Sequence, residues 1–193
     1  MAAVHGKLWL NGDRPTSALV IRGFPLLEFD RAPVNRDVLR GFALGWNAEL
    51  TLIAVIDDVQ FRLNGYAIFR SSDVKRWRAV STGDFLARAA KLNKLHPKKP
   101  VGVCFASMKQ ALASAGAAFP LITIHRERID RTICEVGRLL RTNQRAMTIR
   151  AISPQAEWER EERYQLRDIT LLEFGGAYEI LLSRMATQID GSV

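Results

Sequence analysis

The chain writes one phrase twice. Phe24-Pro-Leu-Leu-Glu-Phe-Asp-Arg returns 95 positions later as Phe119-Pro-Leu-Ile-Thr-Ile-His-Arg. Phe24, Pro25, Leu26, Arg31 and Arg36 recur as Phe119, Pro120, Leu121, Arg126 and Arg131, while Val34, Asn35 and Val38 recur by type as Ile129, Asp130 and Ile133. At a shift of 96, Gly41, Leu44, Asn47, Ile53 and Ile56 are mirrored by Gly137, Leu140, Asn143, Ile149 and Ile152. Back at 95, Asp73 and Val74 meet Asp168 and Ile169. Unrelated stretches of ordinary composition agree at roughly one position in 15. The chain therefore reads as two copies of one unit, and no other feature constrains its fold as strongly.

The unit reads as strands. Leu26, Phe29, Val38, Phe42, Leu44, Leu52, Val55 and Ile56 fall in short apolar runs broken by Asn-Ala, Asp-Asp and Asn-Gly. Short runs rich in β-branched and aromatic residues between turn formers are strand signals. The second copy keeps the rhythm in LITIH, VGRLLRT, AMTIRAI, YQL and ITLLEF. About five strands in roughly 65 residues leave no room for crossover helices, which predicts a small antiparallel barrel. Such a unit buries only about 60% of its unfolded surface and needs cover from its neighbours.

Helices are expected around the barrels. Asp84 to Leu92 puts Phe85, Leu86, Ala89 and Ala90 on one stripe. Leu95-His-Pro-Lys-Lys-Pro interrupts it, because proline ends a helix. Ser107-Met-Lys-Gln predicts a capping box, with Met108, Ala111, Leu112 and Ala115 facing inward. After Gly175-Gly176, Tyr178, Leu181, Leu182 and Met185 keep helical spacing and predict a last helix with that face inward. KLWLNG and SALVIRG predict a hairpin about Asn11-Gly12. The expected fold class is thus mainly β with flanking helices (α+β). Its domains are a first barrel with an N-terminal extension (1–82), a helical basic linker (83–118) and a second barrel with a C-terminal helix (119–193).

Charge locates a candidate contact surface. The net charge is +8, and the excess is +3 in 1–82, +5 in 83–118 and zero in 119–193. A basic surplus is one footprint of nucleic-acid binding, and here it centres on Lys91, Lys94, Lys98 and Lys99; a solvated polar face accounts for the same lysines. The apolar fraction of 48% and charged fraction of 25% are those of a soluble globular chain. No apolar run reaches a membrane span and no signal-peptide core opens the chain, so a cytoplasmic location is expected. Cys104 and Cys134 lack CxxC spacing and read as two free thiols.

Catalytic patterns are missing. His5, His96 and His125 are scattered without metal-ligand spacing, and no phosphate-binding glycine loop or GxSxG elbow occurs. No catalytic residue, metal or cofactor is assigned. Glu157, Glu159, Glu161 and Glu162, interleaved with Trp158, Arg160 and Arg163, read as a solvated hairpin.

Two segments carry a resemblance. Gly41-Phe-Ala-Leu-Gly-Trp-Asn-Ala-Glu-Leu-Thr-Leu resembles the first motif of the Sm-like fold, a bent five-stranded barrel. RNA-binding members place Asp six residues after the Gly and Asn four further on; those places hold Asn47 and Thr51. Phe69-Arg-Ser-Ser-Asp-Val is similar to the second motif, a strand ending in Arg-Gly, where Arg70 matches and Ser71 replaces the Gly. In the second copy the places hold Asn143, Met147, Gln165 and Leu166. From residue 24 to about 187 the chain also resembles uncharacterised bacterial proteins with tandem Sm-like or SH3-like barrels. The resemblance implies two duplicated small antiparallel barrels joined by the helical linker.

Two functions are expected from this. The first is a non-catalytic binding or adaptor protein that contacts a protein partner, or itself as a homo-oligomer through barrel edge strands. The second is RNA or single-stranded nucleic-acid binding through Asn47, Thr51, Arg70, Lys98 and Lys99. For Asn47 a turn role competes, since Asn suits a left-handed turn.

Overall fold

The structure, a computed structural model, describes residues 18–190, with side chains through residue 188. The predicted Asn11-Gly12 turn and first hairpin arm lie outside these residues. The chain divides into two compact units, Met1–Pro100 and Val101–Val193.

The first unit runs β1 (Val20–Ile21), β2 (Phe24–Asp30), β3 (Leu39–Trp46), β4 (Leu50–Asp57), β5 (Arg62–Arg70), a 3-10 turn at Ser71–Asp73, β6 (Arg76–Ala79) and α1 (Phe85–Leu92). Arg22 and Gly23, at φ 54° and 84°, turn β1 tightly into β2, the left-handed pair a two-residue hairpin needs. β2 pairs with β3, β3 with β4 and β4 with β5, all antiparallel, and β6 returns to the other edge of β2. The sheet is not closed.

The second unit runs α2 (Met108–Ala118), β7 (Ile122–His125), β8 (Cys134–Thr142), β9 (Ala146–Ile152), β10 (Trp158–Gln165), a 3-10 turn at Leu166–Asp168, β11 (Leu171–Phe174) and α3 (Ala177–Asp190). β11 pairs with β7, β7 with β8, β8 with β9 and β9 with β10, again antiparallel. The expected linker 83–118 thus holds α1 in the first unit and α2 in the second.

Pairings in one unit recur in the other. Leu27 faces Gly41 as Ile122 faces Gly137, and Leu50 faces Arg70 as Ala146 faces Gln165. The register slips between Ala43 and Gly45 and again between Leu139 and Arg141. The repeated glycines have a steric reason: a Cβ on Gly41 would stand 2.4 Å from the Ala54 carbonyl oxygen, and on Gly137 2.4 Å from that of Arg150. The repeated arginines serve the same end of each unit. Arg31 lies 5.7 Å from the Phe69 ring centroid and Arg126 lies 4.7 Å from that of Tyr164, a cation–π geometry.

The helices bury faces partly different from those the spacing predicts. α2 agrees: Ser107 Oγ accepts from the Gln110 amide at 3.3 Å, and Met108, Ala111, Leu112 and Ala115 are buried. On α1 the buried residues are Ala87 and Ala90, while Phe85 is exposed and meets only Phe61 edge-on. On α3 Leu182 and Ala186 are buried, joining Leu121, Ile152 and Ala156, while Tyr178, Leu181 and Met185 are exposed. Glu179 lies on the same buried side, where it accepts a 2.6 Å hydrogen bond from the Thr123 hydroxyl.

Candidate functional site

Three of the five residues predicted to contact nucleic acid meet at one end of the first unit. Asn47 follows β3, and its Oδ1 accepts from the amides of Glu49 and Leu50, both at 2.8 Å. Thr51 is fully buried, and its hydroxyl is 2.9 Å from Ser71 Oγ, which donates to the Asn47 carbonyl. Arg70 is 3.9 Å from the Glu49 carboxylate. Asn47 and Thr51 are thus tied together through Ser71, and the buried Thr51 presents nothing to a ligand. Asn143 repeats the turn, with Oδ1 accepting from Arg145 and Ala146, both at 2.9 Å. Lys98 and Lys99 are exposed on an irregular segment.

The cations of the first unit's outer ladder are matched by carboxylates. Arg40 meets Glu28 at 3.0 Å and Asp58 at 2.8 Å; Arg78 meets Glu28 at 2.9 Å and Asp84 at 3.0 Å. Arg76 holds Asp30 at 2.9 Å. The Ala32 amide and the Arg76 guanidinium hold the Asp30 carboxyl below its ordinary range.

One face of the second unit is different. Strand alternation and pairing register put Arg141, Thr148 and Arg163 in one cross-strand row, and Arg138, Arg150 and Glu161 in the next. Trp158 lies opposite Ile152 in a third. The guanidiniums of Arg138 and Arg150 sit 4.7 and 5.3 Å from the Trp158 ring centroid. Neither these two nor Arg163 has an ion pair among the described residues. Arg141 reaches Glu161 at 3.1 Å, an exposed pair worth at most about 1 kcal/mol.

A cleft of about 280 Å³ opens in this face, lined by Arg141, Thr142, Asn143, Ala146, Thr148 and Arg163. Thr148 is only 5% exposed, and its hydroxyl has no hydrogen bond among the described residues. No carboxylate lines the cleft. The amide nitrogen of Asn143, unengaged among the described residues, adds a donor, since only its oxygen is used in the turn.

The opposite side of β8 and β10 carries a carboxylate cluster. The Tyr164 hydroxyl donates to Glu162 at 2.5 Å, and Arg126 stands 3.7 Å from Glu135. Burial pushes the Glu135 carboxyl up, helped by the nearby Glu162, while the Tyr164 hydroxyl holds Glu162 down. Burial and the Glu162 bond push the phenol of Tyr164 far up. His125 Nε2 lies 2.7 Å from Glu173. Among the described residues no group of three or more His, Cys, Asp and Glu is placed to hold a metal ion.

The arginine face does not show in net charge, because residues 119–193 sum to zero. A finer signal was present: residues 119–193 contain 11 arginines and no lysine. Glu159, Glu161 and Glu162 lie along β10, on both faces of it, with Arg163 on the arginine side, while Glu157 precedes the strand. No protein-family model, curated protein or solved structure matches the chain. No helix of the described residues is long and apolar enough to cross a membrane.

Proposed function

We propose that the chain is a non-catalytic binding protein, an adaptor built from two copies of one Sm-like barrel that present different surfaces. The recurring registers, the repeated Asn turns and the 3-10 turn before each unit's last strand support the duplication. One observation carries the adaptor reading. α3 presents Tyr178, Leu181 and Met185 to solvent at 51, 57 and 41% exposure, at i, i+3 and i+7 on one stripe. An amphipathic helix with a second apolar stripe suits docking into a groove of a protein partner.

The nucleic-acid reading of the first barrel draws less support, because Thr51 is buried and Asn47 Oδ1 is spent on its own turn. The test is capture from native lysate with the full chain, comparing wild type with Leu181→Asp plus Met185→Asp. A protein retained at high salt by wild type and lost by the variant is the expected result. Equal retention by both rejects the stripe as the docking surface. A mass that rises with concentration in light scattering would identify the partner as a second copy.

A further inference from the structure

The arginine face of the second unit is not needed by the fold. The same places in the first unit hold Phe42, Gly45, Leu52, Ala54 and Ile68, in the same registers, and the apolar side chains among them are buried. There the row Phe42, Ala54, Tyr66 stands where Arg138, Arg150 and Glu161 stand in the second unit. Phe42, Ala54 and Ile68 are buried in the first unit, whereas Arg138, Arg141, Arg150 and Arg163 are exposed in the second; an exposed sheet face calls for polar residues, not for four cations.

Their arrangement opposes stability. Arg138 and Arg150 are directly opposite one another across β8 and β9, and like charges so placed destabilise a sheet. Trp158 relieves this by taking both guanidiniums over its ring, which also holds them in place before any ligand arrives. In the adjoining row Arg141 and Arg163 flank Thr148, a residue that lines the 280 Å³ cleft and whose hydroxyl has no hydrogen bond among the described residues. A cleft lined by Arg141, Arg163, Thr148 and Asn143, whose one ion pair among the described residues is the exposed and weak Arg141–Glu161 contact, suits an anion with several acceptor oxygens.

We infer that this face binds the phosphodiester backbone of single-stranded RNA, one phosphate in the Arg141–Thr148–Arg163 cleft and the strand continuing over Arg138 and Arg150. Three features select a nucleic acid. The cations are all arginine, whose planar fork matches phosphate oxygens two at a time. The positive groups form two consecutive rows, which suits a repeating polyanion. The guanidiniums stacked on Trp158 offer planes on which bases stack without sequence preference. The site lies away from the Asn47, Thr51 and Arg70 cluster and does not use the counterpart of Thr51, Met147, which is buried and points to the opposite face from its neighbour Thr148.

The test is a fluorescence titration of the full chain with a short labelled oligouridylate at several salt concentrations. Each phosphate neutralised on a single strand contributes about −0.7 to the slope of log affinity against log salt, so four arginines predict a slope near −3. Arg141→Ala with Arg163→Ala should weaken binding at least about tenfold and halve the slope. Thr148→Val removes only the hydroxyl and should weaken binding while leaving the slope unchanged. Arg40→Ala with Arg78→Ala removes the same charge from cations already matched by Glu28, Asp58 and Asp84, and should leave binding within about twofold.

No binding of oligouridylate at low salt overturns the inference. So does a loss in the Arg40 and Arg78 variant as large as in the Arg141 and Arg163 variant, and so does equal affinity for polyglutamate, which would make the face a carboxylate site. Circular dichroism checks that each variant is folded, and the Thr148 variant carries the test if an arginine pair proves structural. The α3 variant with Leu181→Asp and Met185→Asp should bind oligouridylate like wild type, so this inference and the adaptor reading fail separately.

Discussion

Gly41 and Gly137 show what a repeated residue is for in this chain. Neither needs a left-handed backbone; each is glycine because a facing carbonyl occupies the place of a side chain. Gly137→Ala should therefore cost about 1–3 kcal/mol, as overpacking does, read as a lower urea midpoint at unchanged slope. Wild-type stability in that variant would show that β9 can move aside. Asn47 and Asn143 likewise act locally, each supplying one oxygen to two backbone amides. Asn143→Ala should cost about 1–2 kcal/mol through loss of those bonds, measured in the same way. Both residues were legible in sequence as turn formers. That their oxygens would be fully used by the turn was not, because it depends on where the next strand begins.

At the scale of elements, β10 joins two opposite pKa effects. Glu162 is held low by the Tyr164 hydroxyl, so it stabilises the fold above the ordinary glutamate range, about 4.3. That stability is lost as pH falls through its lowered value. Glu135 is pushed up by burial, so its cost is present when ionised and relieved on acidification. Tyr164→Phe removes the bond that favours ionised Glu162. The melting temperature of this variant should fall furthest below wild type near neutral pH, and the gap should narrow below about pH 4. A gap constant across that range would mean the hydroxyl acts only through packing. The strands were readable from short apolar runs and turn residues, while the expected barrel closure is not found. The inward faces of α1 and α3 were not, because spacing gives the period of a helix while its tertiary contacts, such as Glu179 with Thr123, set its rotation.

At the scale of the molecule, the helices supply the cover a five-stranded unit lacks. α2 buries Met108, Ala111, Leu112 and Ala115, and α3 buries Leu182 and Ala186. Residues 119–176 expressed without either helix should melt at lower temperature and less cooperatively than 101–193, by circular dichroism. Matching cooperative transitions would show that the strands form a sufficient core. Charge also reads differently at this scale. The lysines near 98 gave the chain its local positive excess, yet the neutral second half carries the more organised cations, because pairing across strands gathers residues that are distant along the chain.

The sequence by itself determined the antiparallel strands and their turns, the N-cap of α2 and the positions of its buried face. These rest on interactions between residues close in the chain; the Gln110 side chain, which a full capping box would return to the Ser107 amide, turns to Cys104 instead. Only the tertiary structure decided that Thr51 is sealed inside, that α3 turns Leu181 and Met185 outward, and that Arg138, Arg141, Arg150 and Arg163 share one face with Trp158. Side-chain direction in a sheet flips with each residue, and a one-residue bulge reverses everything beyond it. The slip between Trp158 and Glu161 does so in β10, and it is what sets Trp158, Glu161 and Arg163 on the arginine side.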